Sequence, residues 1–168
     1  GTSLREITTD VGIDVLSFGG TKNGLVFGEA VVVLDPTAVE GVDYVRKMTM
    51  QLASKMRFVS AQLLSVLDGD LWLRSAARAN AMARRLRSRL DHMVAEDQAP
   101  GLRFSQPTEA NGLFAVLPPA AAERRREDVA FYDWDATRGG VRGMCSFDTT
   151  EEDVDSFAEA VGRELRAV

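Results

Sequence analysis

Along this chain the spacing of apolar positions changes character several times, and the changes divide it. Val42, Val45, Met48, Leu52, Met56, Val59, Leu63 and Leu67 recur at steps of three and four, the period of one helix face, so the spacing predicts helix across this stretch. Asp68-Gly69-Asp70 interrupts it. A second helix is expected from about Leu71 to about Glu96, with Leu73, Ala76, Ala77, Asn80, Ala83, Leu86 and Leu90 on one side. Its other side carries Arg74, Arg78, Arg84, Arg85, Arg87 and Arg89, which read as a solvated face. No aromatic residues interleave these arginines, so a surface that stacks nucleic-acid bases is not indicated.

Shorter apolar runs flank the helices. Before them, Asp14-Val15-Leu16-Ser17-Phe18 and the β-branched run Glu29-Ala30-Val31-Val32-Val33-Leu34 read as two strands around the breaker Gly19-Gly20-Thr21-Lys22-Asn23-Gly24. Two strands alone are marginal, so this segment reads as a piece of a larger sheet. Thr2 to Ile7 reads as a helix end or cap region. After the boundary at Pro100-Gly101, strands are expected at Leu102–Gln106, Gly112–Pro118, Val129–Tyr132 and Val141–Cys145, with a short helix from Pro119 to Glu127. A hydroxyl followed by acids in Asp148-Thr149-Thr150-Glu151-Glu152-Asp153 marks a helix start. Val154, Phe157, Ala158, Val161 and Leu165 give that last helix its apolar face. Helices and strands in this order place the chain in the α/β class.

Composition narrows the chemistry. The chain has 168 residues, 45% apolar, with 20 basic and 25 acidic side chains and a net charge of -5. That length bounds one modest core, and the acidity argues against a nucleic-acid partner. No run approaches the roughly 20 apolar residues that span a bilayer, and no leader-like start is seen, so a cytoplasmic protein without a membrane partner is expected. One cysteine, Cys145, excludes an internal disulfide framework. One histidine, His92, excludes a histidine metal cluster, so no metal is expected; both residues read as structural.

The stretch that carries chemistry is Ser17-Phe18-Gly19-Gly20-Thr21-Lys22-Asn23-Gly24. Two glycines remove side-chain bulk, so backbone and lysine can approach a flat ligand. The hydroxyls of Ser17 and Thr21 could donate to an anion. A lysine amine at the rim of a site is the equipment for a Schiff base with an aldehyde cofactor. A solvated turn lysine fits the same spacing, and both readings stand at this point. The phosphate-loop pattern is absent, because Lys22 is followed by Asn23 and not by Ser or Thr.

Three stretches together resemble one family. They are Asp14 to Gly24 with Gly28-Glu29-Ala30-Val31-Val32; Gln51-Leu52-Ala53-Ser54-Lys55-Met56-Arg57-Phe58; and Val141-Arg142-Gly143-Met144-Cys145-Ser146-Phe147-Asp148-Thr149-Thr150-Glu151-Glu152-Asp153-Val154-Asp155. In order and along essentially the whole chain they resemble the low-specificity L-threonine aldolases, in the aromatic amino acid β-eliminating lyase/threonine aldolase group of fold-type-I (aspartate-aminotransferase-like) enzymes that use pyridoxal 5′-phosphate (PLP).

The resemblance implies a fold: the end of a PLP-binding large domain in residues 1–40, connecting long helices in 41–99, and a small C-terminal α/β domain in 100–168. It implies PLP as cofactor, Lys22 as the lysine that joins it, Thr21 and Ser17 as further cofactor contacts, and Arg57 near its phosphate, with Lys55 two residues away. Arg142 matches the arginine that grips the substrate carboxylate, a task suited to a planar fork of donors. The implied reaction is aldol cleavage of L-threonine or L-allo-threonine to glycine and acetaldehyde. β-Elimination from another amino acid on the same scaffold is the alternative, as is a non-catalytic fragment that dimerises through its long helices. A homodimer or homotetramer is implied. In the family, the carboxylate for the pyridine nitrogen, the stacking ring and the phosphate loop precede the lysine. Only 21 residues do so here, none of which matches, so a further N-terminal half is expected upstream.

Overall fold

The computed structural model describes residues 2–118, 132–135 and 137–167. Two compact units divide the chain, Gly1–Trp72 and Leu73–Val168.

In the first unit, β1 (Val15–Gly19) and β2 (Glu29–Val33) pair with each other as an antiparallel two-stranded sheet, with Ser17 opposite Val31 and Gly19 opposite Glu29. Two helices follow, α1 (Val42–Met48) and α2 (Met56–Leu67). The continuous helix that the periodicity predicts from Val42 to Leu67 is therefore broken. Thr49 turns its hydroxyl back to the Val45 and Arg46 carbonyls, a bond that competes with the helix ladder. Met50 then takes a left-handed φ of 58° and ends the helix. Among the described residues this unit buries just two apolar side chains, Leu25 and Val59. Val31, Tyr44, Met48, Met50 and Leu64 stand open to solvent.

The break at Asp68–Asp70 is a short 3-10 turn, after which α3 runs from Leu71 to Ala95. The second unit packs α3 and α4 (Glu151–Arg166) on one face of a sheet ordered β3-β4-β6-β5, antiparallel throughout. Its strands are β3 (Arg103–Phe104), β4 (Gly112–Val116), β5 (Tyr132–Asp135) and β6 (Gly140–Met144). The short helix expected from Pro119 to Glu127 lies outside the described residues, as does most of the strand expected at Val129–Tyr132.

The core joins Met82, Ala83, Leu86, Leu90 and Met93 of α3 to Leu113 and Val141 of the sheet and to Val154, Ala158, Val161 and Leu165 of α4. The buried stripe of α3 begins at Ala79, whereas Leu73, Ala76 and Ala77, expected on it, are exposed. α4 starts where its capping sequence says: Thr150 accepts from the Asp153 amide and Asp153 accepts from the Thr150 amide. The helices meet closely at Gly162, where a Cβ would collide with the Met93 methyl.

The arginine face of α3 is solvated as expected, with Arg74, Arg78, Arg84, Arg85 and Arg89 exposed, and it carries surface ion pairs. Arg85 pairs with Glu151 at 3.1 Å and Asp155 at 2.8 Å, and Arg89 reaches Asp155 and Glu159. Arg78 donates to the Thr149 carbonyl, and Arg87 lies over the Phe104 ring at 3.9 Å. The Arg85 side chain holds the Asp155 carboxyl below the usual carboxylate range. Sequence periodicity could not show this, because the acids come from α4, some 70 residues on.

A small apolar cavity of about 40 Å³ lies between sheet and helices, lined by Leu86, Leu90, Leu113, Val141 and Gly143 among others. A Cβ built on Gly143 meets nothing within 4 Å, and Gly143 is not among the left-handed glycines. Gly143→Ala is therefore expected to stabilise the protein by about 1 kcal/mol, from lower unfolded-state entropy and one buried methyl. The melting temperature should rise by about 4–8 °C on calorimetry; a fall would mean that the cavity is not free to receive the methyl.

Candidate functional site

Four of the five residues singled out by sequence belong to the first unit. Lys22 sits in the middle of a 3-10 turn, Thr21–Asn23, that closes the loop between β1 and β2. The Gly20 carbonyl accepts from the Asn23 and Leu25 amides at 3.0 and 3.2 Å, which winds the turn tightly. A side chain at position 20 would place its Cβ 2.6 Å from Leu25, so glycine lets Leu25 fold beneath the loop. Gly28 closes it with a φ of 134°, and a Cβ there would stand 2.9 Å from Val59 of α2.

Side chains from outside the turn fix it further. Asn23 donates to the Trp72 carbonyl at 3.0 Å, and Gln62 of α2 accepts from the Val26 amide at 2.9 Å. The result is an exposed lysine on an ordered loop backed by Leu25 and Val59. Thr21 donates its hydroxyl to the Glu29 carboxylate. The Glu29 carboxylate also lies over Gly19, where a Cβ would come within 2.7 Å of it. Glu29, Asn23 and Gln62 thus shape this loop, although sequence reasoning passed over them. The signal for Glu29 was its place directly opposite Gly19, which requires the hairpin register.

Ser17 lies on the exposed side of β1, the side it shares with Gly19. The structure thus gathers Ser17, Thr21 and Lys22 on one hairpin. Arg57 lies in the first turn of α2, exposed, with its guanidinium 4.9 Å from the Phe58 ring centre. Val59, two residues on, is the buried one, so helix phase turns Arg57 away from the side that backs the loop. Lys55 precedes α2 as its cap residue and is exposed.

Arg142 belongs to the second unit, at the centre of β6, half-buried, with Phe114 as its partner on β4 and Tyr132 on β5. Cys145, just past the strand, is buried, and burial pushes its thiol pKa up, the opposite of what a nucleophile needs. His92 is exposed near the end of α3. Among the described residues no group of three His, Cys, Asp or Glu side chains could hold a metal, and no helix is long and apolar enough to cross a membrane.

No protein-family model matches the chain. Two low-specificity L-threonine aldolases, from Pseudomonas sp. (strain NCIMB 10558) and Pseudomonas aeruginosa, are each 43% identical to it over 169 aligned positions. The match takes in 100% of this chain and 46% of either relative, so the chain spans about half the length of the curated relatives it matches. Among solved structures, threonine aldolase from Leishmania major superposes with a TM-score of 0.82 at 24% identity, over 98% of this chain and 46% of that one. The fold is therefore the corresponding part of a fold-type-I protein, as the sequence implied. Over its whole length, then, the chain is similar at 43% identity to one part of the low-specificity L-threonine aldolases.

Proposed function

We propose that this chain is the lysine-bearing part of a PLP-dependent L-threonine aldolase, which cleaves L-threonine or L-allo-threonine to glycine and acetaldehyde. The observation that carries the reading is an exposed lysine on a loop made rigid by the Gly20 approach to Leu25 and by bonds to Trp72 and Gln62. A solvated turn lysine needs no such framing. An amine held on an ordered turn, with hydroxyls on the same hairpin, fits an aldehyde cofactor with an anionic tail.

In this reading Lys22 would hold PLP through its amine with the Ser17 hydroxyl beside it, whereas in this structure the Thr21 hydroxyl donates to Glu29 and Arg57 faces away from the loop, so neither makes that contact here. PLP when bound supplies an electron sink for the bond that breaks. Arg142 binds the substrate carboxylate with paired donors and so fixes the amino acid's orientation. Lys22 returns a proton to the carbon that becomes the glycine α-carbon, a task within reach of an amine freed at that position. Glu29 keeps the Thr21 hydroxyl, and with it the first residue of the turn, in place.

Residues 1–40 are assigned to the larger cofactor-binding domain, 41–99 to connecting helices and 100–168 to the small domain. The exposed apolar side chains of the first unit support its completion by more chain and by a second copy, in a homodimer or homotetramer.

The test is a parallel assay of the full-length protein, with PLP, on L-threonine, L-allo-threonine, L-serine and aromatic amino acids. Acetaldehyde and glycine in equal amounts from the threonines are expected. Release of ammonia and a keto acid in their place would overturn aldol cleavage in favour of β-elimination.

A further inference from the structure

The residues on either side of Lys22 are both anchored by their side chains, and the two anchors differ in kind. Thr21, before the lysine, bonds to Glu29 of the same hairpin. Asn23, after it, donates its side-chain amide to the Trp72 carbonyl at 3.0 Å, 49 residues on. A carbonyl only accepts, so the Asn23 nitrogen and not its oxygen faces Trp72. Trp72 is the second residue of α3, a helix of 25 residues. The Asn23 bond is part-buried, whereas Lys22 is exposed.

A two-stranded ribbon is marginal by itself and flexes as a unit. The Thr21 bond moves with that ribbon and cannot fix the lysine against anything outside it. The Asn23 bond refers the turn to a long helix. Gln62 supplies another outside bond, but to the Val26 amide, four residues past Lys22. Asn23 is joined to the lysine directly, so its restraint acts on the lysine's own backbone.

We infer that Asn23 is a positioning residue for Lys22; this rests on Lys22 being the lysine that joins PLP. The amine rides on a flexible four-carbon stem, so the backbone at its root sets the region it can reach. With the root fixed, the amine spends a larger share of its time where it is needed, and rates that use it scale with that share. Losing one net hydrogen bond cuts such a share by about two- to tenfold. Asn23 acts through the lysine and not on the reacting atoms.

The test uses the full-length protein, PLP and L-threonine. Asn23→Ala removes the donor. Asn23→Asp keeps the shape and sets an oxygen against the Trp72 carbonyl. Both are expected to slow covalent capture of PLP at Lys22 by about two- to tenfold, read as the borohydride-fixed mass increment against time. Turnover number should fall by a like factor while KM stays within about twofold. Before cofactor is added, hydrogen exchange at the amides of positions 23 and 25, which the Gly20 carbonyl holds, should quicken. Gln62→Ala frees the Val26 amide and should leave capture and kcat within about twofold of the unsubstituted protein. Unchanged capture and kcat in Asn23→Ala, an equal loss in Gln62→Ala, or a change in KM alone would overturn the positioning role. Where Asn23→Ala does not fold, Asn23→Asp decides by the same measures. Capture of PLP at a residue other than Lys22 in the unsubstituted protein would instead remove the reading on which the role rests.

Discussion

Lys22→Ala in the full-length protein is expected to abolish threonine cleavage, by about 10²–10⁴-fold for the proton transfer alone. It should also abolish covalent capture of PLP by borohydride, read as a mass increment on the peptide containing residue 22. Lys22→Arg should be as inactive, because arginine keeps the charge and lacks a nucleophilic amine. The structure makes this pair interpretable. Lys22 is exposed, the turn's hydrogen bonds run through the backbone and through Asn23 and Gln62, and the buried support is Leu25 and Val59. Neither substitution touches that support, so stability should change by no more than about 0.5 kcal/mol. An adduct and activity that survive Lys22→Ala would show the turn lysine to be a solvated residue.

Leu90→Ala carries the largest expected cost in stability, about 3–5 kcal/mol. Leu90 is 4% exposed in the core cluster of α3, sheet and α4. It also borders the existing cavity, so the space left by its side chain would merge with space already present and could not close. For a unit of this size the melt, followed by circular dichroism, should fall by more than about 10 °C. A shift of only a few degrees would mean that α3 moves inward to refill the site. Gly143 faces the same cavity from the sheet, so Gly143→Ala in the Leu90→Ala background should recover only the part owed to its own methyl.

Elements with a strong local signal were legible in the sequence. The two N-terminal strands, the interruption at Asp68–Asp70, the long helix to Ala95 and the capped start of α4 lie where their residues indicate. The break after Met48 was not, since the apolar period runs on through Leu52 while Thr49 bonds backward and Met50 turns left-handed. The partners of the arginine face were hidden for another reason. Periodicity marks which side of a helix is polar, and only tertiary structure brings Glu151, Asp155 and Glu159 alongside Arg85 and Arg89. At the site, glycines and a lysine marked the loop, but Glu29 over Gly19 and Trp72 beside Asn23 depend on strand register and on tertiary contact.

The uneven burial of the two units has a thermodynamic meaning. Leu25 and Val59 alone anchor the described apolar interior around Lys22, whereas the second unit closes a full helix-on-sheet core. The chain therefore has two opening free energies and not one, with the lysine hairpin at the shallow end. A single unfolding midpoint would describe the second unit and pass over the first. Any molecule that binds the hairpin when folded deepens that shallow end in proportion to the logarithm of its concentration.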